Sequence, residues 1–123
     1  MTNEVMAMGP YFRAVIDSLD FFMQRDDPGR VVAMLRMMQA HTQLYRGILF
    51  ITVSNDTITP AVKQEMAAIA DMVCDFKVRT IGSDFETSMI VSKFRNAPEN
   101  LSIMVYRVTP EEGITPETVE RIA

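Results

Sequence analysis

Cys74 and His41 are the only cysteine and the only histidine in the 123-residue chain. That scarcity excludes an intrachain disulfide and any four-ligand Cys/His zinc site built from this chain alone. A lone cysteine in an alternating stretch reads as a small buried hydrophobe. His41 falls near the end of an amphipathic stretch, where a surface or half-buried position is expected. Twelve basic residues against sixteen acidic ones give a net charge of -4, and no basic stripe interrupts their dispersal. Binding to nucleic acid or an anionic membrane by phosphate neutralisation is therefore disfavoured. No run of about 18 apolar residues exists, and the first ten residues lack a basic start and a long apolar core. The expectation is a cytoplasmic protein with neither a membrane span nor a signal peptide.

Glycine is also sparse: the five present are not grouped. A phosphate-wrapping loop needs clustered glycines followed by Lys and Ser or Thr, and the chain contains no G-x-x-x-x-G-K-S/T. It likewise contains no G-x-G-x-x-G, G-x-S-x-G or H-E-x-x-H pattern and no calcium loop. No complete catalytic constellation can be assembled from what is there.

What is present is an α/β pattern filling one domain, residues 1–123, with 48 % hydrophobic residues and no linker, repeat or charged tail. Eleven methionines most simply fill irregular core gaps, with an adaptable partner-binding surface as the second reading. After a weak helix signal at Glu4 to Met8, the Gly9-Pro10 pair punctuates the chain before an apolar run from Tyr11 to Ser18 that predicts a buried strand. Leu19 to Arg25 is an apolar piece readable as a loop or a short helical turn. Asp27-Pro28 then starts a helix: Asp27 is expected to accept its orphan amides, and Pro28 fits the first position. Val31, Met34, Leu35, Met38 and Tyr45 give this helix an apolar stripe, and Arg46 with Gly47 supplies its stop. Gly47 to Val53 is a second β-branched run. Strand, helix, strand predicts a right-handed parallel βαβ unit, with Asp17 and Ser18 brought near Ser54 and Asn55 on one sheet edge. In open α/β sheets that edge is where ligands bind. The same pattern also describes a core strand followed by a loop whose Asp17 caps a turn.

Thr59-Pro60 starts a second helix through about Ala70. From Val73 the period switches to two. Val73 to Thr80, Phe85 to Arg95 and Leu101 to Tyr106 read as an antiparallel meander, with turns at Gly82-Ser83-Asp84 and Asn96 to Asn100. Thr115-Pro116-Glu117 reads as the start of a short carboxyl-terminal helix that needs docking to be stable.

An acid after an apolar strand is the minimal form of the group that holds Mg²⁺ through water beside a nucleoside triphosphate. The order of segments says more than this one match. Val15-Ile16-Asp17-Ser18-Leu19, Thr52-Val53-Ser54, Ala70-Asp71-Met72-Val73, Ser92-Lys93-Phe94-Arg95-Asn96 and Val108-Thr109-Pro110-Glu111-Glu112-Gly113-Ile114 follow one another as in the second half of a RecA/KaiC-type ATPase domain. The chain resembles that half from about Tyr11 onward. The resemblance implies a three-layer partial RecA-like domain with Asp17 as the Walker B acid and metal residue, and Ser18 beside it. It also implies Ser54 or Asn55 at the sensor position, and Lys93 and Arg95 as the Lys-x-Arg pair that reaches a neighbour's ATP. Read without the resemblance, Lys93 and Arg95 are a basic edge that deters strand pairing.

The P-loop strand, the P-loop and the acids that activate water in that family lie ahead of this match. By the family's strand order, the missing strand belongs between Gly47–Val53 and Val73–Thr80. ATP and Mg²⁺ are then expected only with a partner that supplies the P-loop. The implied protein is a truncated or degenerate ATPase half, inactive alone, in a homo- or hetero-oligomer with a RecA/KaiC-like protein. A non-ATPase interaction or regulatory module is the alternative. A receiver-like domain using Asp17 as phosphoacceptor ranks last, since it wants an acidic pair on an earlier strand.

Overall fold

The computed structural model describes residues 1–96 and 102–117. They fall into two compact units, Met1–Ala70 and the part from Asp71 onward.

In the first unit the two apolar runs do become parallel strands. Helix α1 (Thr2–Met6) precedes strand β1 (Arg13–Ile16), helix α2 (Asp20–Arg25) and helix α3 (Pro28–Leu44). Strand β2 (Ile48–Ile51), a 3-10 turn at Asn55–Thr57 and helix α4 (Pro60–Ile69) complete it. β1 and β2 pair in register from Arg13 opposite Ile48 to Ile16 opposite Ile51. Both are shorter than their apolar runs, yet backbone bonding extends past them. Ile48 N–H donates to Phe12 O at 2.9 Å, Thr52 N–H to Ile16 O at 3.0 Å and Leu19 N–H to Thr52 O at 2.9 Å.

The ambiguous piece after β1 is a helix, α2, with the Arg25 guanidinium 4.3 Å above the Phe21 ring. α3 begins at Pro28 as expected, but the Asp27 carboxylate makes no cap bond. The Asp27 carbonyl instead accepts from Arg30 and Val31. The stop also differs. Arg46, not Gly47, takes the left-handed conformation (φ 53°), and Gly47 N–H closes back on Thr42 O at 2.9 Å. Thr59 caps α4 as read, its hydroxyl accepting from Val62 N–H at 3.3 Å.

One face of the parallel pair is covered. Ala14, Ile16, Leu49 and Ile51 pack on a buried cluster of Val5, Phe12, Leu19, Leu35 and Met38. His41 is buried too, at 7 % exposure, where a surface or half-buried position was expected. It lies between Phe12 (ring centroids 5.6 Å apart) and Tyr45 (4.4 Å). Its Nε2 is 3.0 Å from Met8 O; a carbonyl only accepts, so the ring proton sits on Nε2. The other face of the pair is bare, with Val15 68 % and Phe50 59 % exposed. Among the described residues no helix is long and apolar enough to cross a membrane.

The second unit is the expected antiparallel meander, in the order β3 (Met72–Ile81), β4 (Asp84–Phe94), β5 (Ser102–Thr109), β6 (Gly113–Glu117). Gly82 turns the first hairpin with φ 61°, a conformation that favours glycine. Thr115-Pro116-Glu117 is strand, not the start of a helix. The turn after Thr109 is closed by Glu112 N–H donating to the Thr109 hydroxyl at 3.1 Å, which sets Gly113–Glu117 antiparallel to β5. Pro116, opposite Tyr106, is tolerated because β6 is an outer strand that can lack a donor. The rest of the expected helix, and the turn from Ala97 to Asn100, lie outside the described residues.

Candidate functional site

The carboxyl ends of β1 and β2 meet as the sequence implied, and the residue that ties them is Asp20. Asp17, just past β1, is exposed, and its Oδ1 accepts the Thr52 hydroxyl at 2.6 Å. The Asp17–Ser18 peptide is cis. Leu19 follows with no exposed surface at all, so its side chain anchors the segment from below while its neighbours on either side stay at the sheet edge.

Those neighbours bond to each other. The Ser18 hydroxyl donates to Asp20 Oδ2 at 2.9 Å and accepts from Asp20 N–H at 3.3 Å. Asp20 Oδ1 accepts from Ser54 N–H at 2.9 Å and from the Thr57 hydroxyl at 2.8 Å. That hydroxyl also lies 2.9 Å from Ser54 O, and Ser54 Oγ accepts weakly from Asp56 N–H at 3.4 Å. One half-buried carboxylate therefore clasps the start of α2 to the 3-10 turn after β2.

The Ser54 amide, the Thr57 hydroxyl and the Ser18 hydroxyl all favour the ionised form and hold the Asp20 carboxyl below the ordinary aspartate range, against a smaller opposing effect of burial. The sign of the linkage follows. A lowered folded-state value adds stability that is full above the ordinary range and is lost as pH falls through the folded value. Asp20→Asn keeps an acceptor but no charge. In urea unfolding it is expected to be less stable than wild type at pH 7, with the gap closing as pH falls below about 4. A gap that stays constant from pH 7 to pH 2 contradicts this assignment.

Of the residues singled out from sequence, Asp17, Ser18 and Ser54 stand together, and Asn55 follows as the exposed first residue of the 3-10 turn. Lys93 and Arg95 belong to the second unit. Lys93 sits opposite Val73. Arg95 closes the open end of the β3–β4 hairpin: its guanidinium is 2.7 Å from Asp71 and its N–H donates to Asp71 O at 2.8 Å. Sequence reasoning missed Asp20, Thr57 and Thr52. The available signal was the D-S-L-D spacing, which places a second acid in the first turn of a helix.

The arrangement offers one ordered carboxylate and several committed hydroxyls. Mg²⁺ demands near-octahedral oxygen ligation and is usually held by one or two carboxylates together with nucleotide phosphates and water. Here Asp17 brings one carboxylate with an oxygen already bonded to Thr52, and the Ser18 hydroxyl is directed to Asp20. Among the described residues no group of three His, Cys, Asp or Glu side chains could hold a metal. With no glycine-rich loop in the sequence, these residues do not by themselves fit Mg-ATP, and no hydrolytic step can be derived from them.

Residues 2–107 match the model of a family of unknown function, DUF7125. No curated protein matches the chain. Among solved structures it is similar to the flagellar accessory protein FlaH from Methanocaldococcus jannaschii, with a TM-score of 0.67 and 19 % identity, covering 96 % of this chain and 54 % of that one. It is also similar to the KaiC-like protein PH0186 from Pyrococcus horikoshii OT3, with a TM-score of 0.61 and 15 % identity, covering 86 % of this chain and 46 % of that one. The chain thus spans about half the length of each. At these identities the likeness establishes the fold, which is RecA-like α/β.

Proposed function

The chain belongs to the DUF7125 family, and because that family's function is unknown we propose a role from the geometry: it is the Walker B side of a RecA/KaiC-like ATPase domain. It lacks a P-loop, is not catalytic alone, and acts by assembly with a RecA/KaiC-like polypeptide that supplies the P-loop strand. That polypeptide is either a separate chain or a segment joined to this one.

The observation that carries the reading is the state of the parallel sheet. Parallel sheets occur almost only with both faces covered. This one has two strands, neither paired with a third among the described residues, and a face of Val15, Ile48 and Phe50 open to solvent. Each outer edge leaves a row of backbone amides and carbonyls without strand partners. A further strand would pair one of those edges, and its covering layer would close the open face. They would also bring phosphate-binding amides to the edge where Asp17, Ser18 and Ser54 stand.

In this reading Asp17 is the acid that faces the nucleotide's metal, held in place by Thr52. Asp20 is a positioning residue that fixes Ser18 and Ser54. Lys93 and Arg95 are the basic pair offered to a neighbouring subunit. Titrating Mg-ATP into the isolated chain tests the reading: no binding is expected below about 1 mM nucleotide, because the sequence has no glycine-rich loop to cradle the phosphates. Micromolar binding by the isolated chain overturns it.

A further inference from the structure

The second unit presents a large apolar face for which the nucleotide reading has no use. In a pleated sheet, residues opposite one another across strands share a face. The register sets Val78, Thr87, Tyr106 and Pro116 in one row across all four strands, and Phe76, Met89 and Met104 in the row beside it. Phe85, Val108 and Ile114 continue the same face toward the hairpin tips. Phe76, Val78, Phe85, Met104, Val108 and Ile114 are between 41 % and 69 % exposed. The opposite face carries Lys77 and the Arg79–Glu86 and Arg107–Glu117 ion pairs, alongside Ile90, Ile103 and the buried Val105.

We infer that this apolar face is an isologous interface: two copies of the chain stack their meanders face to face. The exposure supports it. Six large apolar residues on one face, each between 41 % and 69 % exposed, make a contiguous patch unlike the singly scattered surface hydrophobics of a typical monomer, and such a patch marks an interaction surface. The charge pattern selects a second copy as the occupant. In a two-fold contact a patch meets itself, so a charged patch would repel its own image. None of the six is charged, nor are Thr87, Met89 and Tyr106 between them, so self-apposition meets no such penalty. A four-stranded layer buries one face against another layer, and a second copy supplies one at the usual sheet-to-sheet distance of about 10 Å.

Light scattering of the isolated chain, without nucleotide, tests this independently of the ATP question. The expected mass is twice 13.9 kDa, across roughly 10–100 µM protein. Phe85→Glu, at the hairpin tip, is expected to weaken dimerisation at least tenfold with the far-UV circular dichroism unchanged, and Arg79→Ser on the opposite face to leave the dimer intact. A wild-type chain of 13.9 kDa over the whole range overturns the inference whether or not the variants fold. So does a dimer that persists in a folded Phe85→Glu, which would place the contact elsewhere. A monomer that instead binds neutral phosphatidylcholine vesicles assigns the face to a lipid surface and also overturns it.

Discussion

Gly47→Ala is expected to destabilise the first unit by about 3 kcal/mol, an unusually large effect for one added methyl group. Gly47 does not owe its place to a left-handed backbone, since that conformation belongs to Arg46. It owes it to the Phe12 ring. A Cβ on residue 47 would lie 2.6 Å from Phe12 Cζ and closer still to Cε1 and Cδ1. The ring cannot swing aside cheaply, because Phe12 is buried beside His41 and its carbonyl accepts from Ile48 N–H. Chemical denaturation of Gly47→Ala, Phe12→Leu and the double variant measures the coupling. Recovery of more than half the loss in the double variant is expected, as contacting residues fail to add. Additive losses, or a loss under about 1 kcal/mol in Gly47→Ala, contradict the close packing of Phe12 on Gly47.

Leu19→Ala is expected to cost a similar amount, about 3 kcal/mol, by the opposite mechanism. Leu19 has no exposed surface and sits in the cluster with Val5, Phe12, Leu35 and Met38. Truncating it removes buried methyl groups and leaves a cavity that the surroundings fill only in part. The residue also lies between Ser18 and Asp20, and its N–H donates to Thr52 O. The variant should therefore loosen the site as well as the core. Amide exchange at Ser54, whose N–H is held by Asp20, is expected to accelerate beyond what the global loss of stability accounts for. Exchange at Ser54 that tracks global stability alone would mean the clasp does not depend on the Leu19 anchor.

Where apolar pattern and capping chemistry agreed, the fold was legible in the sequence. Two β-branched runs around a Pro-started helix gave the parallel pair and placed Asp17 and Ser18 beside Ser54. Thr59-Pro60 gave α4 with its cap. Period-two alternation from Val73 gave the meander. The failures have local physical causes. Thr115-Pro116-Glu117 carries a helix-start signal, but the turn closed by Thr109 and Glu112 delivers it as an outer strand, where proline costs little. Gly47 looked like a helix stop because glycine usually is one; its actual constraint is a ring thirty-five residues away in sequence. His41 reads as polar until Phe12 and Tyr45 close over it and the Met8 carbonyl accepts its ring N–H.

Asp20 was the consequential omission. Its sequence neighbours Leu19, Phe21 and Phe22 make the local pattern apolar and carry no signal for a bonded carboxylate. Its partners Ser54 and Thr57 lie more than thirty positions on, and only the parallel pairing of β1 and β2 brings them within reach. Local pattern cannot report a bond that the crossover creates.

The central claim is that Asp17 stands at one side of a nucleotide site whose phosphate-binding side this chain does not contain. Calorimetric titration of Mg-ATP into the isolated chain and into Asp17→Asn tests it most directly. The expected result is no binding by either protein up to about 1 mM nucleotide. Micromolar binding to the wild-type chain that is lost in Asp17→Asn would contradict it, because the chain would then hold a complete site of its own.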